Sequence, residues 1–232
     1  MLNSPQQLYS VHDTSGCRHY NHPEFRLRVS NNAIPLADVS FLLDYLEKSV
    51  ERGQRFHSGE SLQIGWMYTT LKVGPEGCLH VLEPDMKAIP VEFIDSVDST
   101  LTHLRNQKDV VESLTPAVLP AFPSLRSSVV VHVNYKSATR ILLTRFEAAD
   151  AADSGWWLTD LDDPAHQDPQ RFLKTSLYQL GVNRPDLVKF FAIPFGLQVA
   201  IDDTYIGVLD SKGELQQRPN SFLSELNKAC QP

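Results

Sequence analysis

The sequence lacks the features that mark several classes of protein. It has no cluster of lysine and arginine, and its 28 acidic residues outnumber its 21 basic ones. This balance argues against nucleic acid as the main partner, because a phosphate-binding surface is normally basic. The chain has no apolar run of about 18 residues and no basic and apolar leader at its start. We therefore expect neither a membrane span nor export.

Cysteine is also scarce. The three cysteines, Cys17, Cys78 and Cys230, are far apart and odd in number. A small secreted domain held together by disulfides would show an even and denser set. We predict free thiols in a reducing cytoplasm.

The motifs of familiar enzyme classes are missing as well. We find no glycine-rich phosphate loop, no Gly-x-Ser-x-Gly elbow, no His-Glu-x-x-His helix and no Cys-x-x-Cys pair. Asp160 and Asp162 could act as an acid and base pair only if burial shifted the pKa of one of them. The adjoining Asp163 and Pro164 indicate an open loop instead. We expect a protein that is not an enzyme and has no cofactor.

Potential metal ligands come close together in three places. The three groups are Cys17, His19 and His22; His80, Glu83 and Asp85; and Asp160, Asp162 and Asp163. The first has no standard zinc spacing and no fourth ligand, and the second falls in a turn at a proline. The third lacks the glycine and the glutamate of a calcium loop. We predict no metal site.

Composition and length indicate a globular protein with two domains. Hydrophobic residues make up 42% of the 232 residues and charged residues 21%, which is ordinary for a soluble fold. Residues 116–128 contain three prolines and three serines, the composition of a connecting segment. We predict an N-terminal module at 1–115, a linker at 116–128 and a C-terminal domain at 129–232.

Hydrophobic periodicity predicts the fold class. Helical spacing favours a helix that begins near Asp38, which would accept from first-turn amides, and ends at Gly53. It favours further helices at 91–114 and, after an Asp168 N-cap, at 170–180. Alternation predicts strands at 24–29, 62–73, 78–82, 129–133 and 141–146 and a hairpin of 197–201 with 205–209. We predict an α+β fold, each domain being an antiparallel sheet with helices on one face.

The densest run of carboxylates surrounds two adjacent tryptophans. From Glu147 to Gln170 the chain has seven acidic residues and no lysine or arginine. Mutual repulsion predicts that this run lies at the surface. Trp156 and Trp157 point to opposite faces of a strand, so one should be buried and the other exposed. An exposed aromatic among acids predicts a surface for a basic partner; the alternative is a solvated rim over a core tryptophan.

Several short motifs follow one another in the second half. They are Asp-Ser-Gly-Trp at 153–156, Asp-Pro at 168–169, Asn-Arg-Pro-Asp-Leu-Val at 183–188 and Ile-Pro-Phe-Gly at 193–196. With them, residues 129–214 resemble an immunity-protein domain of bacterial polymorphic toxin and contact-dependent secretion systems. The chain departs from that pattern at 159–163, where the expected glycine of an acidic turn is missing. The N-terminal half looks like a module attached to such domains.

The resemblance implies a cytoplasmic protein that binds and neutralises a cognate toxin, as in bacterial competition through type VI secretion. An acidic surface with an aromatic anchor can mimic the anionic substrate of a basic toxin cleft. The residues that we predict to bind this partner are Asp153, Trp156, Trp157, Asp160, Asp162 and Asp163. The alternative is a regulatory interaction module without a toxin partner.

Overall fold

The computed structural model describes residues 9–230 and divides into two compact units, one up to Arg105 and one from Asn106. The boundary lies inside a helix (Asp98–Glu112), and the predicted connecting segment 116–128 belongs to the second unit. The start of the chain, for which we predicted no leader, lies outside the described residues, as do the last two residues.

The first unit is built on a six-stranded sheet of order β1-β2-β5-β4-β3, with β6 paired to β5. Its strands are β1 (Ser10–Asp13), β2 (Phe25–Val29), β3 (Ser61–Ile64), β4 (Met67–Val73), β5 (Leu79–Pro84) and β6 (Phe93–Ile94). Its helical elements are a 3₁₀ turn (Cys17–Tyr20), α1 (Leu36–Glu51) and the first part of α2 (Asp98–Glu112). The predicted hairpin of 62–73 with 78–82 is present as β4 and β5, which pair antiparallel.

Helix α1 forms where helical spacing predicts it. Val39, Leu42, Leu46 and Val50 are buried and join the core of the unit, because positions three and four apart share one helix face. The helix is followed by Gly53 at φ 93°, as expected. The predicted cap is wrong: the Asp38 carboxylate instead accepts from the Arg105 guanidinium (Nε to Oδ2, 2.5 Å).

Two further predictions for the first unit need correction. The predicted strand 62–73 is two strands, because Gly65 adopts φ 60° and turns the chain between β3 and β4. The second helix begins at Asp98, later than the predicted residue 91. Phe93 and Ile94 are held as a short strand against β5, so that tertiary pairing overrides the apolar spacing that indicated a helix.

The second unit contains a seven-stranded sheet of order β11-β8-β10-β9-β12-β13-β14 and a separate pair of β7 with β15. Its strands are β7 (Leu114–Thr115), β8 (Ser128–His132), β9 (Ile141–Arg145), β10 (Asp153–Asp160), β11 (Phe172–Ser176), β12 (Gln198–Ile201), β13 (Ile206–Asp210), β14 (Gly213–Glu214) and β15 (Gln216–Gln217). Its helices are α3 (Leu177–Asn183), α4 (Phe222–Ala229) and two 3₁₀ helices (Pro169–Arg171 and Pro185–Phe190).

The α+β fold class is confirmed, but neither large sheet is wholly antiparallel. β5 lies between β2 and β4, and β10 lies between β8 and β9. β5 is antiparallel to β4 and parallel to β2. In the same way, β10 is antiparallel to β9 and parallel to β8. Strand order of this kind is set by long-range pairing, which periodicity along one chain does not record.

The helix predicted at 170–180 is replaced by three short elements. Asp168 is an N-cap as predicted, since its carboxylate accepts from the Gln170 amide at 3.0 Å, but the helix it caps is a single 3₁₀ turn. The chain then pairs with β8 as strand β11. Ser176 caps α3, and Gly181 lies inside α3 instead of ending a helix.

Candidate partner-binding surface

The Asp-Ser-Gly-Trp motif is a structural device at the start of β10. The Ser154 hydroxyl donates to the Ser128 carbonyl at 2.6 Å. Gly155 adopts φ 72°, and a Cβ there would fall on the Phe146 carbonyl, with its carbon at 3.1 Å. The register of β10 against β8 shifts at this point. Only glycine fits both the left-handed backbone and the close carbonyl, and the irregularity sets which tryptophan faces inward.

Trp156 faces inward, contrary to its predicted role in binding. It is 1% exposed, and its indole N–H donates to the Phe191 carbonyl at 3.2 Å. The guanidinium of Arg145 lies 5.4 Å from its ring centre. A side chain so enclosed offers no surface to a partner, so Trp156 is part of the core.

Arg145 is a buried cation on the same inward face. It donates to the carbonyls of Ala121, Phe191 and Ile193 at 2.6, 3.0 and 2.5 Å. Burial lowers its pKa to about 10, which still leaves it charged at neutral pH. Arg145 thereby connects β9 to the segment at Ala121 and to the segment of Phe191 and Ile193. These hydrogen bonds stabilise the backbone that surrounds Trp156.

Trp157 faces outward, on what we call the open face of the sheet. The open face consists of partly or well exposed side chains at alternating positions, namely Val130, Leu142, Thr144, Trp157, Thr159, Gln198 and Ala200. Trp157 is opposite Thr144 on β9 and Val130 on β8, and Thr144 is opposite Gln198 on β12. Directly opposed residues share a face, so these side chains form one continuous surface.

Three aromatic rings form a row at one side of this face. Trp157 is 40% exposed and Phe146 54%. The ring of Trp157 is 6.0 Å from that of Phe146, edge to face, and 5.6 Å from that of Phe172. We call Phe146, Trp157 and Phe172 the aromatic row. Contacts of this geometry stabilise each ring in place, so the row presents a rigid apolar surface.

The carboxylates at the end of β10 are used within the fold. Asp160 is buried, and it accepts from the Asn134 side-chain amide at 3.1 Å and from the Asp162 backbone at 3.1 Å. Asp163 accepts from the Ala165 amide at 2.8 Å and from Arg171 Nε at 2.9 Å. These hydrogen bonds, the backbone one first, lower the pKa of Asp163. Asp160 is therefore enclosed, and the prediction that it meets a partner is wrong.

The remaining two acids of the predicted surface are also partnered, but they stay accessible. Asp153 accepts from the amides of Gly155 and Ala149 at 3.1 and 3.3 Å. Asp162 is paired with Arg140 (Oδ1 to Nη1, 2.9 Å), and its side chain is 49% exposed. Ion pairs of this exposed kind contribute little to stability, so both acids can still contribute to the field at the surface.

His132, at the end of β8, is buried. Its Nδ1 accepts from the Asn134 amide at 3.2 Å, and its Nε2 lies 3.2 Å from Asp163 Oδ2. The ring also contacts Phe172 edge to face at 5.5 Å. His132, directly opposite Phe172 on the neighbouring strand, thus lies between Asp163 and the aromatic row.

A cavity of about 250 Å³ opens on the same sheet, on β12 and β13. It is lined by Arg140, Leu161, Ala200, Ile201, Asp202, Tyr205, Gly207, Leu209 and Glu214. The Tyr205 hydroxyl donates to Glu214 Oε1 at 2.6 Å, which raises the pKa of Tyr205 to about 12. Backbone and side-chain hydrogen bonds from Thr204 lower the pKa of Asp202. At neutral pH the tyrosine keeps its proton and Asp202 is ionised.

The first unit has a larger cavity, of about 850 Å³, but its carboxylates serve the fold. Glu83 is buried, which raises its pKa, and accepts from the Ser99 and Thr100 amides at 3.0 and 2.7 Å at the start of α2. Asp98 accepts from the Ser30 amide at 3.0 Å. Throughout residues 9–230 no group of three or more His, Cys, Asp or Glu side chains is arranged to hold a metal ion.

A known domain family matches a region that begins at the same residue as the second unit. Residues 106–211 match the Imm33-like domain. The match indicates an immunity-protein-like family, and it begins where the second unit begins. It covers a different range from the 129–214 of the motif-based resemblance. No curated protein and no solved structure matches the chain.

Within the Imm33-like region, sequence reasoning missed Phe146, Phe172 and the cavity around Tyr205. Phe146 was assigned to the end of a strand and Phe172 to a helix, so neither was placed beside Trp157. The only sequence feature that could have indicated Phe146 and Phe172 is that both lie near the two tryptophans along the chain. Between residues 9 and 230, no helix has the length and apolarity needed to cross a membrane, and all three cysteines are free, as predicted.

Proposed function

We propose that this chain is an immunity protein that binds and neutralises a cognate toxin in the bacterial cytoplasm, and that the open face of the Imm33-like region is the contact surface. The observation that carries the proposal is an exposed, rigidly held Trp157 on a sheet face, in a region that matches an immunity family. Tryptophan is enriched among residues that dominate binding energy.

The aromatic row is suited to this role because it is held in place before binding. Phe146 and Phe172 flank Trp157 on its two sides, and the strand beneath it is fixed by Ser154 and Gly155. A rigid aromatic surface loses little conformational entropy on association. The row would therefore contribute most of the apolar contact with the toxin.

The acids have a more limited part than the sequence indicated. Asp153 and Asp162 lie at accessible positions but already have partners. In this proposal they contribute to a negative field that speeds encounter with a basic toxin surface. Direct contact is assigned to Trp157, while Trp156, Asp160 and Asp163 maintain the structure that presents it.

Neutralisation in this proposal is by occlusion and requires no chemical step. Binding of one domain over a toxin's active cleft prevents substrate access, which needs only affinity and correct placement. A regulatory module without a toxin partner remains the competing function, and the following experiment separates the two.

The test is co-expression of the full chain with the reading frame encoded next to it, with cell survival and co-purification as readouts. We expect the wild-type chain to rescue growth and to form a stable complex, and Trp157→Ala to weaken both. Phe195→Ala is the matched control, because Phe195 is an exposed aromatic of the same unit at a turn outside the open face. Absence of rescue and of a complex with the wild-type chain would reject the immunity function.

A further inference from the structure

We propose that the cavity on β12 and β13 is a receptor for one lysine or arginine side chain of the toxin. This inference rests on the proposed function, because it supplies a second contact on the same open face. Its volume of about 250 Å³ is below the range usual for small-molecule sites. The cavity is therefore sized for a single side chain.

The floor of the cavity exists because two small residues face each other. Ala200 on β12 and Gly207 on β13 are directly paired, so that neither places a large side chain on the sheet at this point. A Cβ on Gly207 would lie 3.2 Å from Glu214 Oε1 and 3.4 Å from Tyr205 Cε1. Glycine at 207 therefore lets the Tyr205 ring and the Glu214 carboxylate lie close over the backbone of β13 at one side of the cavity.

The charges around the opening favour a cation. Arg140 is already paired with Asp162 at 2.9 Å. The carboxylates of Asp202 and Glu214 therefore leave the cavity net negative. Asp202 stays ionised, since it accepts from the backbone of Thr204 and Tyr205 at 2.8 Å each. Glu214 is held at the opening by the Tyr205 hydroxyl.

The walls fit the rest of a basic side chain. Leu161, Leu209 and the Tyr205 ring offer apolar surface beside the charged opening. Lysine and arginine have an apolar stem and a charged end, and they bury the stem while the end stays near water or a carboxylate. An aromatic ring next to the cation adds a further attraction. Aliphatic or acidic side chains would match only one half of this lining.

The cavity and Trp157 can contact one partner together. Gln198, Thr144 and Trp157 lie in one row across three strands, and Ala200 and Leu142 lie in the next row of the same face. Trp157 and Gly207 are three strand spacings apart across the sheet and two residues apart along it, which is roughly 16 Å. An interface of ordinary size spans that distance, so one toxin surface can place an apolar contact on Trp157 and a basic side chain in the cavity.

The first experiment uses the purified chain and small probes, so it does not depend on the toxin. N-acetyl-lysine methylamide, N-acetyl-arginine methylamide and the uncharged N-acetyl-norleucine methylamide are titrated while the amide resonances of Ala200 and Gly207 are followed. We expect saturable shifts with a basic probe in the millimolar range and none with norleucine. Equal shifts with norleucine, or none with either basic probe, would overturn the proposal.

Two variants locate the binding. Glu214→Gln keeps the size of the side chain and an acceptor for Tyr205 and should weaken basic-probe binding about three- to fivefold, as expected for an exposed ion pair. Gly207→Val should displace the Glu214 carboxylate and the Tyr205 ring, which lie 3.2 and 3.4 Å from the position of the added Cβ, and should abolish basic-probe binding. Glu225→Gln on α4 is the control and should leave it unchanged. Unchanged binding in Glu214→Gln and Gly207→Val would overturn the proposal, and thermal unfolding verifies that each variant is folded.

The second experiment measures the dissociation constant of the complex with the toxin that the neighbouring reading frame encodes. Glu214→Gln should weaken the complex by the same three- to fivefold, and the loss should shrink at high salt. If the toxin binds and the Glu214→Gln complex is unchanged at low salt, the cavity proposal fails while the immunity function stands. If no toxin binds the wild-type chain, the immunity function fails, and the probe titration alone still decides whether the cavity recognises a cation.

Discussion

Two groups of carboxylates in the second unit both accept hydrogen bonds from the fold but differ in how far their side chains are exposed. The acids around the tryptophans, represented by Asp160 and Asp163, accept hydrogen bonds from the backbone and from Asn134 and Arg171. Asp202 and Glu214 stand exposed beside a cavity. The first group is the denser one in sequence, yet its members stabilise the fold. The comparison shows that charge density along a chain does not identify the accessible carboxylates, because the exposure of each side chain depends on the fold.

The same distinction applies to the two tryptophans. Trp156 and Trp157 are adjacent and chemically identical, but only Trp157 is exposed. The residue that decides this is Gly155, whose left-handed backbone shifts the register of β10. The Asp-Ser-Gly-Trp motif therefore describes how the start of β10 is built, and the residue that we propose for contact with the toxin, Trp157, is the one that follows the motif.

The largest effect is expected from Gly155→Ala, which should lower the free energy of unfolding by about 3 kcal/mol through left-handed strain and the clash with the Phe146 carbonyl. Gly196→Ala is the matched control, because Gly196 has a similar φ of 84° but open space around it. Its cost should be about 1 kcal/mol. Urea denaturation measures both. Equal losses would show that the carbonyl contact does not hold the register.

A smaller loss of about 1 kcal/mol is expected for Asp160→Ala, because the Asn134 side-chain amide and the Asp162 N–H would lose an acceptor at a partly buried position. The same denaturation series provides the measurement. A change below about 0.5 kcal/mol is typical of an ordinary surface position. Such a result would mean that Asp160 stabilises the fold no more than the exposed acids do.

The smallest effect on stability is expected for Glu214→Gln. Glu214 is exposed, and a glutamine oxygen can still accept from Tyr205, so the free energy of unfolding should change by less than about 0.5 kcal/mol. A loss comparable to that of Asp160→Ala would mean that the cavity acids are structural too. In that case the probe titration, not stability, would have to separate binding from folding.

Much of the fold could be predicted from periodicity, and the failures have a common cause. Helix α1, the β4–β5 hairpin and the hairpin of β12 and β13 depend on local patterns, and the patterns predicted them. Residues 93–94 and 172–176 were assigned to helices but are strands, because pairing with β5 and β8 outweighs their weak helical preference. Parallel neighbours and strand order likewise arise from contacts distant in sequence.

The candidate site was predictable only in part. Opposite orientations of Trp156 and Trp157 follow from the alternation of a strand, and the structure confirms that one is buried. Which one faces out depends on the left-handed backbone of Gly155 and the register shift beside it. The alternation of residues along the sequence does not predict that conformation. The internal bonds of Asp160 and Asp163 depend on Asn134 and Arg171, which no spacing rule connects to them. The cavity depends on Ala200 and Gly207 meeting across two strands.

The most direct test of the central claim is the dissociation constant of the complex between this chain and the adjacent-frame toxin, measured for wild type, Trp157→Ala and Phe195→Ala. The account predicts that Trp157→Ala weakens the complex about 30-fold, equivalent to about 2 kcal/mol, while Phe195→Ala stays within about twofold of wild type. A folded Trp157→Ala protein that binds as tightly as wild type would contradict it.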